Sequence, residues 1–327
     1  MTRVPLVDVV GVGLNAADTL IQLPHFPAPD SKIEFTRLDF LLGGQVATAM
    51  MACQAWGLRT RYVGKVGADY AAALHRRALN RAGVEAHLRV VRPAVSQSSF
   101  ILVDQRTGER TVLWHRDPRI ALVPQDLKKE WITQARALLV DGHDTASAAR
   151  AALWARHATI PVVADTDNVY PGIQDLLEHV DYLICSEQFP ERLTGQADQL
   201  RALPQLMHNF NFTLVATTLG ADGVLAWDGY RFCYFPAFKV RAIDTTGAGD
   251  IFHAAFVYTL LAGWDLERQL KFSCAAAALN CTGLGARGGI RPLREIKRLL
   301  RDGEPRKSRY SPAVLAHAAK AMQNKNT

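Results

Sequence analysis

The stretch Asp244-Thr245-Thr246-Gly247-Ala248-Gly249-Asp250, leading into Ile251-Phe252-His253-Ala254-Ala255-Phe256, holds the chain's most informative chemistry. Two glycines let the backbone aim its N–H groups at one point, and a helix start adds partial positive charge there. Such a nest suits an anion. At its edge, Asp250 can take a proton from a hydroxyl attacking that anion. The chemistry suggested is phosphoryl transfer from a nucleotide to an alcohol. The plainer alternative is a strand-to-helix turn in which Asp250 caps the helix. In either case Phe238 to Ile243 reads as the strand that precedes it.

The rest of the chain must supply a frame for this loop. Its 327 residues, 49% hydrophobic and 21% charged, suit a sizeable core in one large α/β domain or two smaller ones. No apolar run reaches membrane-spanning length, and the N-terminus shows no cleavable signal pattern. Five scattered cysteines form no C-x-x-C pair and no Cys/His cluster, which argues against zinc or a disulfide frame and for a reducing cytoplasm. The net charge of +7 is uneven: residues 287–327 hold 11 basic and 3 acidic side chains, leaving 27 basic and 28 acidic for the remainder. Tyr310 is the lone aromatic in that segment. A solvated basic helix and tail is therefore expected, rather than a nucleic-acid or lipid surface.

Leu6 to Val10 reads as a buried strand running into Gly11-Val12-Gly13. Ala16 stands where a dinucleotide fingerprint needs its third glycine, and Pro24, Pro27 and Pro29 prevent a helix. A nicotinamide-dependent oxidoreductase is disfavoured. Lys32 to Leu38 alternates like a strand with one dry face, and Ser99–Val103 with Thr111–His115 reads as a hairpin. Between them, Gly43 to Ala82 is helix-rich with a strand at Arg61–Val66. After Pro118, strands at 137–141, 161–165, 182–185 and 213–217 alternate with helices at 146–156, 173–179 and 199–207. Such alternation argues for a parallel sheet covered on both faces. The expected division is a core of 1–14, 43–95 and 118–300, a β lid of 15–42 and 96–117, and a basic tail of 301–327.

The seven-residue loop is similar, almost letter for letter, to the signature of the ribokinase-like (PfkB) carbohydrate kinases, and further motifs in family order extend the resemblance over roughly residues 4 to 300. These are Gly13 followed by Asp18; Gly43-Gly44-Gln45-Val46-Ala47-Thr48; Tyr62-Val63-Gly64-Lys65-Val66-Gly67-Ala68-Asp69; Ser186-Glu187-Gln188-Phe189 ahead of Leu193-Thr194-Gly195; Thr218-Leu219-Gly220-Ala221-Asp222-Gly223; and Ala275 to Ala286. The resemblance implies a three-layer α-β-α ribokinase-like core with a mainly parallel sheet, plus a small β-sheet lid. No Walker-type P-loop and no protein-kinase signature set is present.

By resemblance, Asp250 is the catalytic base, and the amides of Gly247, Ala248 and Gly249 form the anion hole. Asp18, Gly43, Gly44 and Thr48 bind the sugar, with Lys32, Arg116 and His143 as further acceptor contacts. Thr48 replaces the family's Asn, and Gln45 the basic residue of ribokinases. Glu187, Thr218, Gly220, Gly223, Thr246, Cys274, Ala278 and Gly285 are implied at the nucleotide. Ser186 and Phe189 replace the family's Asn and Glu, which leaves Glu187 as the acid that organises Mg2+ through water. The Asp244 region is linked with a monovalent cation. ATP and Mg2+ are thus the implied cofactors, with K+ as a further one. The partners are a small sugar and ATP, with no nucleic acid or membrane, in a homodimer formed through the lid and its row Ile33, Phe35 and Leu38.

Ser96 to Ile101 and Pro236 to Val240 resemble fructose-type, ketohexokinase and sulfofructose kinase members most. His143, however, stands where a sulfonate-binding Arg is expected. The first reading is a kinase for the hydroxymethyl group of a neutral ketose or pentose. A nucleoside or sugar-phosphate kinase, and a catalytically silent sugar-binding regulator, are the alternatives.

Overall fold

A strand buried on both faces reads as a continuous apolar run, and this chain has several. In the computed structural model, which describes residues 6–107 and 110–323, they assemble into one large sheet. The outer ends of the expected core and tail, residues 1–5 and 324–327, and Gly108-Glu109 of the expected hairpin loop lie outside the described residues. Thirteen strands are formed by the described residues: β1 Val9–Val12, β2 Ala16–Leu23, β3 Arg37–Gly43, β4 Thr60–Gly67, β5 Glu85–Val91, β6 Ser98–Asp104, β7 Arg110–His115, β8 Ala137–Asp141, β9 Val162–Thr166, β10 Tyr182–Ser186, β11 Leu214–Thr218, β12 Val224–Trp227 and β13 Phe232–Phe235.

Nine of these form a sheet in the order β13-β12-β11-β10-β9-β8-β1-β4-β5. Every pair from β5 to β11 is parallel, while β12 and β13 close the edge as antiparallel strands. Alternate residues serve opposite faces. Val9 joins one core with helices Gln45–Ala55, Ala248–Leu261 and Leu266–Asn280, and Val10 and Val12 join a second with helices Thr145–His157 and Gln199–Asn209. The result is the expected three-layer α-β-α architecture.

A separate four-stranded sheet runs β3-β2-β6-β7. Leu20 and Ile101, paired across β2 and β6, are buried beneath it. The neighbouring register Phe40–Thr19–Phe100–Leu113 lies on the other face, and its large side chains are 71%, 50% and 56% exposed.

Three expectations need correction. The strand read at Lys32–Leu38 begins only at Arg37, so Lys32, Ile33 and Phe35 belong to the connection from β2, and of the expected apolar row only Leu38 sits on a strand. Phe238 to Ile243 forms no strand; one bridge, Phe238 to Pro305, is all the pairing there. The basic C-terminal segment is not a solvated tail. Its helix Pro312–Gln323 buries Ala319 and, with Tyr310, Leu315, Ala318 and Met322, packs on the second core. No helix among the described residues is long and apolar enough to cross a membrane.

Candidate active site

Open parallel sheets bind ligands beyond the carboxyl ends of their strands, and the carboxylates of this chain gather there. Asp141 ends β8, and Asp165 stands next to last in β9. Asp250 lies in the first turn of helix Ala248–Leu261, whose N-cap, Gly247, adopts φ 74°. A side chain at Gly247 would meet the Ala286 backbone at 2.5 Å, so the loop closes only with glycine there. At Gly249 a side chain would meet nothing within 4 Å: the residue opens onto a cleft. Ala248 and Gly249 at the helix start line that cleft, and the Ala248 amide, expected in the anion hole, already donates to Thr245 O at 3.3 Å.

Asp244 shapes the turn from within. Its two oxygens accept from Thr246 N at 2.9 Å and from Gly285 N at 2.8 Å, tying the signature loop to the 281–289 loop. The Asn280 amide strengthens the tie by donating to the carbonyls of Thr246 and Ala286. Thr246 and Gly285, both expected at the nucleotide, are thus engaged in holding the loop and are not among the residues lining the cleft.

The cleft encloses about 630 Å³ and brings together Glu187, Thr218, Gly220, Gly223, Ala248, Gly249, Cys274 and Ala278. Apolar walls are supplied by Phe238, Val240, Phe252, Ala277 and Cys281. Open glycine backbone and apolar side chains lining one cleft suit a polyphosphate and a flat base together. Thr218 donates its hydroxyl to Cys185 O, and Glu187 forms an ion pair with Arg309 at 2.6 Å.

A second group of polar residues forms where β2, β3 and β6 of the four-stranded sheet meet the large sheet's helices. Asp18 accepts from the Ser99 hydroxyl at 2.6 Å, and its carboxylate closes on Gly43, where a side chain would meet it at 2.7 Å. Gly44 adopts φ 91° against the Leu14 and Asn15 backbone and starts the helix carrying buried Thr48. Arg287, absent from the expected set, completes this group. Its Nη2 donates to Gly43 O at 2.9 Å and its Nε to Thr48 Oγ1 at 3.3 Å, while its Nη1 is buried without a hydrogen-bond partner.

The remaining expected acceptor contacts are engaged or distant. Arg116 is held by Asp144 at 2.6 Å, so its charge is largely neutralised within the protein. The His143 Nε2 lies 3.1 Å from Tyr170 Oη, and its amide donates to Asp141. Lys32 is exposed on the lid connection and is not placed against the other site residues.

Burial, then the neighbouring charge of Asp165, pushes the Asp250 carboxyl up to about 7, against the opposing pull of His253 and Arg287. Burial also raises Asp18, opposed by the Ser99 hydrogen bond and Arg287. Asp165 is raised well above its ordinary value by burial and by its neighbours Asp167 and Asp141. The His253 ring lies behind Asp250, with Nδ1 2.8 Å from Gly249 O and Nε2 3.1 Å from Ile184 O. Arg287 is itself lowered to about 10 by burial. One cation and several acids thus share a small volume, and proton occupancy there is finely balanced. Asp141, Asp165 and Arg287 are the site residues that sequence reasoning missed. An acid at the carboxyl end of an apolar strand, as in Leu-Leu-Val-Asp, was the available signal for the first two.

The family model for pfkB family carbohydrate kinases matches residues 1–292. The chain belongs to this family. PfkB relatives of known structure share the fold: a putative ribokinase from Agrobacterium tumefaciens is 28% identical and superposes with a TM-score of 0.84, over 90% of this chain and 97% of its own. A putative Ribokinase II from E. coli, solved in complex with ATP and Mg+2, has a TM-score of 0.80 at 19% identity, covering 90% of this chain and 99% of that one. Ribokinase from Haemophilus influenzae is 27% identical over 286 residues, 85% of this chain and 94% of the relative. Other PfkB relatives are named ATP-dependent ribose-1-phosphate kinase, 5-dehydro-2-deoxygluconokinase and nucleoside kinase, at 27%, 24% and 26% identity. Membership makes the chain a carbohydrate kinase of the ribokinase-like type.

Proposed function

We propose that the protein transfers the γ-phosphoryl group of ATP to a hydroxymethyl group of a neutral ketose or pentose. What supports this is that Ala248 and Gly249, next to Asp250, line the cleft, while Arg287, bonded to Gly43 O and Thr48 Oγ1, acts electrostatically on both Asp250 and Asp18. In this reading the apolar walls of the cleft hold the base, and the signature amides hold the transferred phosphoryl group. Asp250 accepts the proton of the attacking hydroxyl. Asp18 accepts hydrogen bonds from sugar hydroxyls, and Arg287 donates to a sugar oxygen through its open Nη1. The lid excludes water as it closes.

No group of three or more His, Cys, Asp or Glu among the described residues could hold a metal ion. Glu187, at the cleft wall, would be the acid that reaches Mg2+ on the nucleotide phosphates through water. Bound there, Mg2+ neutralises phosphate charge. The monovalent-cation role of the Asp244 region is a proposal of the same standing, tested by exchanging K+ for Na+ in the assay.

One guanidinium acting electrostatically on two carboxylates, Asp18 and Asp250, favours a neutral acceptor. With Arg116 neutralised by Asp144, little positive charge remains to attract a sugar phosphate. The test is ADP release from MgATP across a panel of ketoses, pentoses, sugar phosphates and nucleosides. We expect the highest kcat/KM with a neutral sugar. A preference for sugar phosphates or nucleosides replaces the acceptor assignment, and no release with any acceptor points to a silent regulator.

A further inference from the structure

The C-terminal segment lies beyond the residues matched by the family model, which end at 292. It nevertheless reaches the cleft. Residues 304–306 run against 237–239: Lys239 N donates to Glu304 O and Arg306 N to Ala237 O, each at 2.8 Å, on either side of the Phe238–Pro305 bridge. Ala237 and Phe238 are cleft walls, and Arg306 joins them as a lining residue. Three residues on, the Arg309 guanidinium donates to Glu187 at 2.6 Å and to Asp222 at 3.4 Å. The Arg309 amide donates to Tyr234 Oη, and the Tyr310 ring meets Tyr234 edge-on at 5.3 Å. Glu187 lies on one cleft wall, while Asp222 sits in the Gly220–Gly223 turn that forms another. One short segment therefore ties three walls of the cleft together.

Charge adds an independent argument. Among the residues lining the cleft, Arg306 is the single Lys or Arg. Its guanidinium has no hydrogen bond or ion pair within the described residues, whereas Arg309 is committed to two carboxylates. A cleft for a polyanion whose core walls carry no cation gains one from the segment outside the family match.

We propose that residues 304–310 are part of the nucleotide site, with Arg306 contacting the phosphates and Arg309 holding the cleft walls together. This rests on the nucleotide reading of the cleft given above. The ligand class is a nucleoside di- or triphosphate with its divalent cation.

Titration calorimetry of the full chain with MgADP and, separately, with adenosine tests it without requiring the sugar to be known. Arg306→Gln should weaken MgADP on the order of tenfold, the scale of a lost charged hydrogen bond, and leave adenosine within about twofold. Arg309→Gln should weaken both ligands by about two- to fivefold, as expected for an exposed pair that positions a wall. Both side chains are exposed, so thermal midpoints should match the wild type. Wild-type MgADP affinity in Arg306→Gln, or equal losses for MgADP and adenosine, overturns the phosphate contact. Unchanged binding of both ligands by Arg309→Gln overturns the clasp. If the wild-type chain binds neither ligand, the nucleotide reading of the cleft falls, and this inference with it.

Discussion

At the scale of single residues, the proposed reaction turns on how Asp250 holds its proton. A general base must be a carboxylate, and burial beside Asp165 moves this one up to about 7. The acceptor kcat/KM should therefore rise with pH through an acid limb near 7. Arg287 pulls in the opposite direction, so Arg287→Met should shift that limb to higher pH and raise the acceptor KM by roughly 10-fold or more, with the ATP KM little changed. A limb that does not move would separate Arg287 from Asp250. Stability has the opposite dependence. A carboxyl raised in the folded state favours folding fully below its unfolded value of 3.8, and that contribution is lost as pH rises through about 7. Asp250→Asn should thus be more stable than the wild type at pH 8, on the order of 1–3 kcal/mol, measured by chemical denaturation. Asp250 could be singled out as a candidate because its neighbours are glycines in a fixed pattern. Arg287 could not: it stands 37 residues downstream in an ordinary Gly-Ala-Arg, and only the fold brings it to Thr48.

At the scale of elements, the loop and helix around Gly247–Asp250 separate architecture from chemistry. Gly247→Ala meets both a left-handed backbone and the Ala286 main chain, so it should cost stability and activity together, about 1–3 kcal/mol in the former. Gly249→Ala meets no neighbour and replaces glycine within a helix. It should keep or slightly raise the thermal midpoint while lowering kcat/KM for ATP, because its methyl group enters the cleft. Equal thermal losses in the two variants would contradict this distinction. The strands of the large sheet were readable from their apolar runs. The lid connection was not, since Lys32–Phe35 alternates like a strand yet finds no partner strand to pair with. Phe238 to Ile243 misled for a similar reason: its apolar residues wall the cleft from an irregular segment that pairs with Pro305 through a single bridge.

At the scale of the whole molecule, the exposed apolar row Phe40–Phe100–Leu113 on the lid's outer face favours pairing with a second copy. We expect a dimer by sedimentation and a monomer for the double variant Phe40→Asp, Phe100→Asp; a wild-type monomer at working concentration would argue against the lid contact. The charge count that suggested a loose basic tail missed this scale altogether, because the apolar residues of 310–322 reach the second core only after the chain has folded.

The reaction itself is tested most directly by ADP formation with the best acceptor from the sugar panel, comparing the wild type with Asp250→Asn. Loss of a general base predicts a fall in kcat of about 10²–10⁴-fold with the ATP KM within about twofold. Turnover near the wild-type rate in that variant would show that Asp250 does not take the proton, and the proposed chemistry would be wrong.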